Sequence, residues 1–488
     1  MSIHLSKSQF IRGLQCPKSL WLLKNRPELQ AQTDIATDAE HEQGFMVGIL
    51  AQQLFPGGDT VEYDPQNFPG MLSFTQQLLE NGATTIYEAA FSFDHIFVKV
   101  DIFHKGESGW EIHEVKSSTE VKDIHLNDVA IQHYVVNGNG MTVNQSTVIH
   151  INNEYVRHGE LDVRQAFKIV DVSDQVLARQ GQIQSELLSL RKAVGQGMPE
   201  RDIGLYCSAP YPCDFQGVCW EHVPDYSIFN LNRLNKKKKF DLYYQGILRL
   251  DEIPVGYPLT DAQIVQVQCD LSGKTLIDNE AIRLFLDELW FPLYFLDFET
   301  FQQPIPLFEG LSPYQQIPFQ YSLHYLEKER GELQHKEYLA REGNDPRREL
   351  AERLVADIPE TACVLVYNQA FEKGVLQNLA EYFPYLHNGL LAIHDNIRDL
   401  MRPFQHKEYY NPQMKGRYSI KCVLPALVPN MSYAGLEIAN GGEAMGAYGS
   451  LHLVDDIAER ERIRKALLEY CKLDTLAMVR IYEKLTTI

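Results

Sequence analysis

Between residues 84 and 118 apolar and polar positions alternate in three short runs, TTIYEAAFSF (84–93), HIFVKVDIFHK (95–105) and WEIHEVKSS (110–118). Alternation at a period of two predicts strands. Ahead of them, over about 38–55, Phe45, Ile49, Leu50 and Leu54 recur at helical spacing until Pro56, Gly57 and Gly58 end the run, which predicts a helix. Behind them LNDVAIQHYVV (126–136) predicts a helix closed by NGNG, and STVIHI (146–151) predicts a strand. A long polar helix is expected over about 173–194. The order is helix, three strands, helix, strand.

The pattern changes character after residue 228. Residues 229–289 carry a KKKK run (236–239) and LYYQGILRLDEIP (242–254), which has a helix, glycine-turn, helix flavour. The lysines are read as a solvated helix face or as phosphate contacts, and the aromatics as core or as part of a helix-hairpin-helix. Beyond them FPLYFLDFETF (291–301), PFQYSLHYLE (318–327) and QHKEYLAR (334–341) predict strands. DPRRELAERLVADI (345–358) predicts a helix, CVLVY (363–367) a strand, and FEKGVLQNLAEYF (371–383) a helix. A last helix is expected over about 455–485.

Size and composition narrow the class. A chain of 488 residues is long for one hydrophobic core, so two domains and a connector are expected. With 44% hydrophobic and 23% charged residues it reads as an ordinary globular protein. It contains neither an apolar run of roughly 18–20 residues nor a signal-peptide core near its start. A cytoplasmic location without membrane contact is the expectation. The formal charge of −20 argues against a surface that is basic all over, but it is compatible with an enzyme whose carboxylates gather at metal sites.

The strand 291–301 spends two positions on acids, Asp297 and Glu299. Side chains at i and i+2 of a strand share a face, so both can serve one site. Otherwise they mark a strand end leaving the core. Glu372 follows the CVLVY strand at a strand-to-helix junction, and Tyr470 and Asp474 stand four apart on the last helix, hence on one helical face. Phosphodiester cleavage by two metals needs several carboxylates converging where cations sit about 3.5–4 Å apart. D-x-E, N-x-x-F-E and Y-x-x-x-D, in this order and on these elements, resemble the three motifs of DEDD-type 3′-to-5′ exonucleases of the tyrosine subclass. Three strands, helix, strand, helix is likewise the order of an RNase H-like fold. The resemblance implies that Asp297, Glu299, Glu372 and Asp474 hold two Mg2+ or Mn2+ ions, that Tyr470 positions the attacking water, and that Asn368 lies near the substrate. The third acid is usually Asp; here Glu372 is one methylene longer.

In the first half Asp101 lies on the second strand, and Glu114 and Lys116 share a face of the third. Two acids and a lysine can supply metal ligands and a cation that orients water or stabilises phosphorane charge; a surface salt bridge is the competing reading of E-x-K alone. With the order of elements, these residues resemble the PD-(D/E)xK nucleases, in particular the RecB-like branch. The resemblance adds Glu88 as an extra acid and Gln132 and Tyr134 as a compressed Q-x-x-x-Y motif. The histidine expected in the first helix is missing, with Gly44 and Gly48 in that region.

Of eight cysteines, Cys207, Cys213 and Cys219 fall within thirteen residues, and Cys16 can supply a fourth thiolate. Four thiolates suit Zn2+ or a 4Fe-4S cluster; ordinary buried thiols are the third reading. Iron-sulfur RecB-like nucleases share this split of one cysteine before the core and three after it, which implies a 4Fe-4S cluster stapling the two ends. Cys269, Cys363, Cys422 and Cys471 read as small core hydrophobes.

The expected class is α/β: a restriction-endonuclease-like (RecB-like) domain over 1–228 with a cysteine-bound metal cluster, a helical connector over 229–289, and an RNase H-like domain over 290–488. The arrangement resembles bacterial fusions of these two nuclease types. DNA is the expected partner, with RNA open, and cleavage of single-stranded ends the expected activity. The rival expectation is a nucleic-acid binding or scaffold protein with decayed sites and a structural cluster.

Overall fold

A computed structural model describes residues 4–32 and 35–488. The chain divides into two compact units. Unit 1 comprises 1–222 and 303–315; unit 2 comprises 223–302 and 316–488. The expected connector therefore folds with unit 2.

Unit 1 is built on a seven-stranded mixed sheet. Its strands are β1 (Leu5–Ser6), β2 (Asp59–Thr60), β3 (Thr85–Phe93), β4 (Ile96–Gly106), β5 (Gly109–Lys116), β6 (Val143–Ile151) and β7 (Phe167–Asp171). The order runs β2-β3-β4-β5-β6-β7, with β1 paired to the start of β4. β3, β4 and β5 are antiparallel neighbours and β6 runs parallel to β5, a connection made through the helix Asp123–Gly138. Alternation places Val98, Val100, Ile112 and Val148 in a core with Val129, Ile131 and Val136 of that helix and Leu187 and Leu190 of the long helix Ser173–Gly195. Each such fully buried aliphatic contributes about 1.5–3 kcal/mol.

Two expectations change here. The helix Ile35–Gln52 exists, but Phe45 (66% exposed) and Ile49 (41%) face solvent. Val47, Leu50, Ala51 and Leu54 pack instead, itself an i, i+3, i+4, i+7 stripe. The segment 303–315, which follows the first long strand of unit 2 in sequence, packs within unit 1. There Tyr314 lies against the cluster around Ile149 and Phe167 and donates to the carbonyl of Ser117.

In unit 2 a small antiparallel pair joins β8 (Leu276–Ile277) and β14 (Tyr409–Tyr410). The main sheet contains β9 (Leu293–Phe301), β10 (Ile317–Leu326), β11 (Gln334–Leu339), β12 (Cys363–Val366) and β13 (Ile397–Asp399), in the order β11-β10-β9-β12-β13. β9, β10 and β11 are antiparallel, while β12 and β13 run parallel to β9. β9 is thus the central strand. Eight of its nine residues are buried and Asp297 is half-buried. The last helix, Ile457–Leu485, buries Leu467, Cys471, Met478 and Ile481 and packs on β9 and β10.

The connector does not form two hairpin helices. Lys236–Tyr243 is helical, Gly246 makes the turn with φ +81°, and the second arm is a three-residue 3-10 turn, Leu250–Glu252. Leu231, Leu234, Leu242 and Leu250 form a local core with Phe229 and Tyr243. Lys236, Lys237 and Lys238 are exposed, and Lys239 donates to the carbonyl of Phe229 at 2.7 Å. Among the described residues no helix is long and apolar enough to cross a membrane.

Candidate metal centres

The acid site of unit 2 begins with β9. Because its alternate side chains are buried on both faces, the face carrying Asp297 and Glu299 turns into the protein rather than to bulk solvent. Two elements close on it. The helix Gln369–Tyr382 starts directly after β12 and brings Glu372, 2% exposed, in its first turn, where a helix N-terminus favours negative charge. The last helix brings Tyr470, Cys471 and Asp474, all buried. Cys471 Sγ lies 3.7 Å from Asp297 Oδ2, and ligand atoms of Asp297, Glu299 and Cys471 fall within 4.8 Å of one another. Tyr433 donates to Asp474 Oδ1 at 2.6 Å, and Lys421 lies 3.3 Å from the Tyr470 hydroxyl.

This pocket is short of cations. Glu372 Oε2 and Asp474 Oδ2 are buried without a hydrogen-bond partner, an expensive state for a polar atom. Burial first, and then the neighbouring carboxylates, raise the affinity of Asp297, Glu299 and Glu372 for protons. Burial likewise pushes Asp474 up to about 6, against the lowering effect of the Tyr433 hydrogen bond. At these separations two ionised carboxylates repel by a few kcal/mol at an effective dielectric near 20. Buried acids, unpaired oxygens and an all-oxygen set beside one thiol fit hard divalent cations.

In unit 1 the ladder pairs Tyr87 with Ile102 and Ala89 with Val100, so Glu88 falls opposite Asp101. Glu88 has φ +57°, a backbone cost of about 1–3 kcal/mol for a non-glycine residue, and its carboxylate pairs with Lys99 at 2.7 Å. Asp101 Oδ2 accepts the Val115 N–H at 2.8 Å. Glu114, buried, accepts from Lys116 at 2.7 Å and from Gln132 at 2.5 Å. Lys116 also reaches Asp128 at 2.7 Å. Lys7, on the helix Lys7–Gln15, donates to both oxygens of Glu114, at 2.8 and 3.0 Å. Burial and then Glu114 push Asp101 up to about 7. Burial also acts to raise Glu114, but Lys116 and Lys7 outweigh it and hold the carboxyl well below its ordinary range.

The four cysteines meet as well. Cys16, Cys207, Cys213 and Cys219 line one small cavity together with Lys18 and Arg201; burial raises the Cys207 and Cys219 thiols, and Lys18 opposes it at Cys219. The ends of unit 1 are tied around it. Arg12 pairs with both oxygens of Asp214 at 2.6 and 2.9 Å, and Gln15 donates to the carbonyls of Tyr206 and Tyr211 at 2.7 Å. The donor set and the shared cavity fit a thiolate-bound metal group.

A family described as a domain of unknown function, DUF2779, matches residues 294–419. No curated protein matches the chain. The matched region holds Asp297, Glu299, Asn368 and Glu372 and ends before Lys421, Tyr433, Tyr470 and Asp474, so the acid pocket extends beyond it.

The structure also places Tyr134, Asn368 and Cys471. Residues two apart on a helix face opposite ways, so Gln132 meets Glu114 while the Tyr134 hydroxyl donates to Asp94 at 3.2 Å. Asn368 is exposed in the left-handed region (φ +93°), with its backbone N–H bound to Asp399; it is the N-cap residue of the helix that carries Glu372 and makes no side-chain cap bond. Cys471, expected as plain core, sits in the acid pocket. Lys7, Asp128, Lys421 and Tyr433 went unnoticed in the sequence. Asp128 alone had a usable signal, four residues before Gln132 on the same helical face.

Proposed function

We propose that the chain is a metal-dependent nuclease that hydrolyses phosphodiester bonds of DNA, acting 3′-to-5′ on single-stranded ends at the unit 2 site. The observation that carries this reading is the convergence of Asp297, Glu299, Glu372 and Asp474 in one buried, cation-poor pocket with two unpartnered carboxylate oxygens. The sheet order β11-β10-β9-β12-β13, three antiparallel strands followed by two parallel ones, supports an RNase H-like fold. The β3-β4-β5-β6 core with its crossover helix supports a PD-(D/E)xK fold for unit 1. Bound to the four acids, two Mg2+ or Mn2+ ions would supply Lewis-acid activation of water and of the scissile phosphate. The chain's own residues do the rest. The acids would hold the ions, the Tyr470 hydroxyl orients the nucleophilic water, and Lys421 orients that hydroxyl. The cysteine cavity is read as the seat of a 4Fe-4S cluster, with Zn2+ as the alternative, joining the ends of unit 1.

A second reading, nucleic-acid binding without cleavage, draws on one observation in unit 1: Glu114 is already satisfied by lysines and Gln132. End-labelled single- and double-stranded DNA and RNA, incubated with the protein and Mg2+ or Mn2+, separate the two. The nuclease releases labelled nucleotides, and Asp297→Ala abolishes the release. A wild-type protein that shifts the substrate on a gel but releases nothing overturns the nuclease reading.

A further inference from the structure

An ionised carboxylate offers about four acceptor positions. Glu114 has four donor contacts: Lys7 on both oxygens, Lys116 on Oε1 and Gln132 on Oε2. No acceptor position remains for a metal ion unless a donor leaves. Lys116 is held from a second side by Asp128, and Gln132 is fully buried on the helix Asp123–Gly138 and also donates to the Asp128 carbonyl at 3.1 Å. Among the described residues Lys7 makes no other side-chain hydrogen bond, and it keeps 21% of its side chain exposed, beside a groove lined by Arg12, Gln15 and Lys116.

Its position is built. β1 pairs with the start of β4, the strand that carries Asp101, through Leu5 N–H to the His95 carbonyl at 3.1 Å. Ser6 and Gln9 then form a reciprocal cap, at 3.3 and 3.1 Å, that sets the first turn of the helix. Lys7 occupies that first turn, where a cation opposes the helix dipole. Helix stability therefore does not explain a lysine there, whereas the carboxylate it grips does.

We propose that Lys7 is an internal cation holding the place of a divalent ion in unit 1, gripping both oxygens of Glu114 until an entering ion displaces it into the adjoining groove. This rests on reading Asp101 and Glu114 as metal ligands. Unit 1 then binds metal weakly until Lys7 moves, and the N-terminal helix is its gate.

The test measures Mn2+ binding by the fall in the electron paramagnetic resonance signal of free Mn2+, on the full chain carrying Asp297→Asn and Glu299→Gln to silence the other pocket. Binding lost on Glu114→Gln defines the unit 1 site. Lys7→Met should tighten that site about tenfold or more, because a charge-assisted pair no longer competes, while Lys7→Arg should leave it as weak as with lysine. Lys7→Gln repeats the comparison if the Met variant fails to fold. Glu114-dependent binding that is equal or weaker in Lys7→Met overturns the proposal while the metal site stands. If no variant shows Glu114-dependent binding, the metal-ligand reading itself fails and the proposal goes with it.

Discussion

Unit 1 and unit 2 both bury carboxylates on central strands of their sheets, but they treat the charge in opposite ways. In unit 1, Glu114 is surrounded by Lys7, Lys116 and Gln132 and is held well below its ordinary pKa. In unit 2, Asp297, Glu299, Glu372 and Asp474 have Lys421 as the cation acting on several of them, and all four are shifted upward. A buried acid must find a cation, a proton or a hydrogen-bond donor. Unit 1 finds lysine; unit 2 is left with protons. The same residue type, acid on a strand, therefore sits in a self-neutralised site in one place and in a cation-poor one in the other.

The largest effect should come from dividing activity between the two. Asp297→Ala should lower nucleotide release from end-labelled single-stranded DNA by about a thousandfold or more, given that losing one electrostatic stabiliser already costs about 10²–10³ in rate. Lys116→Ala should leave most of that release intact. An effect confined to Lys116→Ala reverses the comparison.

Next comes the cysteine cavity. Purified protein should be brown and contain iron; Cys213→Ala should lose both and lower the melting temperature by on the order of 10 °C, since thiolate-bound metals contribute folding energy directly. Colourless protein with stoichiometric zinc would decide for the alternative ion.

The pH response should differ between the units. In metal-free protein, Asp474, with its folded pKa at about 6, stabilises fully below about 4 and loses that contribution as pH rises through 6, because the folded state binds the extra proton. Asp297, Glu299 and Glu372 shift in the same direction. Glu114 does the reverse: its stabilisation is present above the ordinary carboxyl range and is lost only in strong acid. Asp101, at about 7, is the one group of unit 1 that behaves like the unit 2 acids, and Glu114 is flat between pH 5 and 8. Melting followed in chelator from pH 5 to 8 should therefore show unit 2, with four raised acids, weakening more than unit 1, with one. Mn2+ at about 100 times its dissociation constant should restore about 2.7 kcal/mol. A unit 2 transition that is flat with pH in chelator removes the charge argument.

The smallest expected change concerns the anchor of segment 303–315. Tyr314→Phe removes the hydroxyl that donates to the Ser117 carbonyl, next to Lys116. It should cost about 0.5–1.5 kcal/mol, read as a lower melting temperature of unit 1 with the unit 2 transition unmoved.

Much of the secondary structure was legible because alternation and helical spacing are local. β3, β4, β5, β6 and β9 to β12 begin and end within a few residues of the runs that predict them. What was missed is short or depends on partners. β1 and β2 have two residues each and β13 three, too few for a pattern. Two apolar stripes that share Leu50 and Leu54 overlap on the helix Ile35–Gln52, and the sequence does not say whether Phe45 and Ile49 or Val47 and Ala51 complete the packed one. Similarly, the Asp297/Glu299 and Tyr470/Asp474 pairs are visible as spacings, whereas Cys471 and Tyr433 join them only through packing.

By itself, the sequence determined which residues share a face: Asp297 with Glu299, Glu114 with Lys116, Tyr470 with Asp474. Those relations follow from the periods of strand and helix. The tertiary structure alone decided what each acid faces. It brought Lys7 across more than a hundred residues to Glu114 and Cys16 to three distant cysteines, and it left the carboxylates of unit 2 largely without lysines. The charge state of a buried group is set by neighbours in space, and these come from remote parts of the chain that no local pattern encodes.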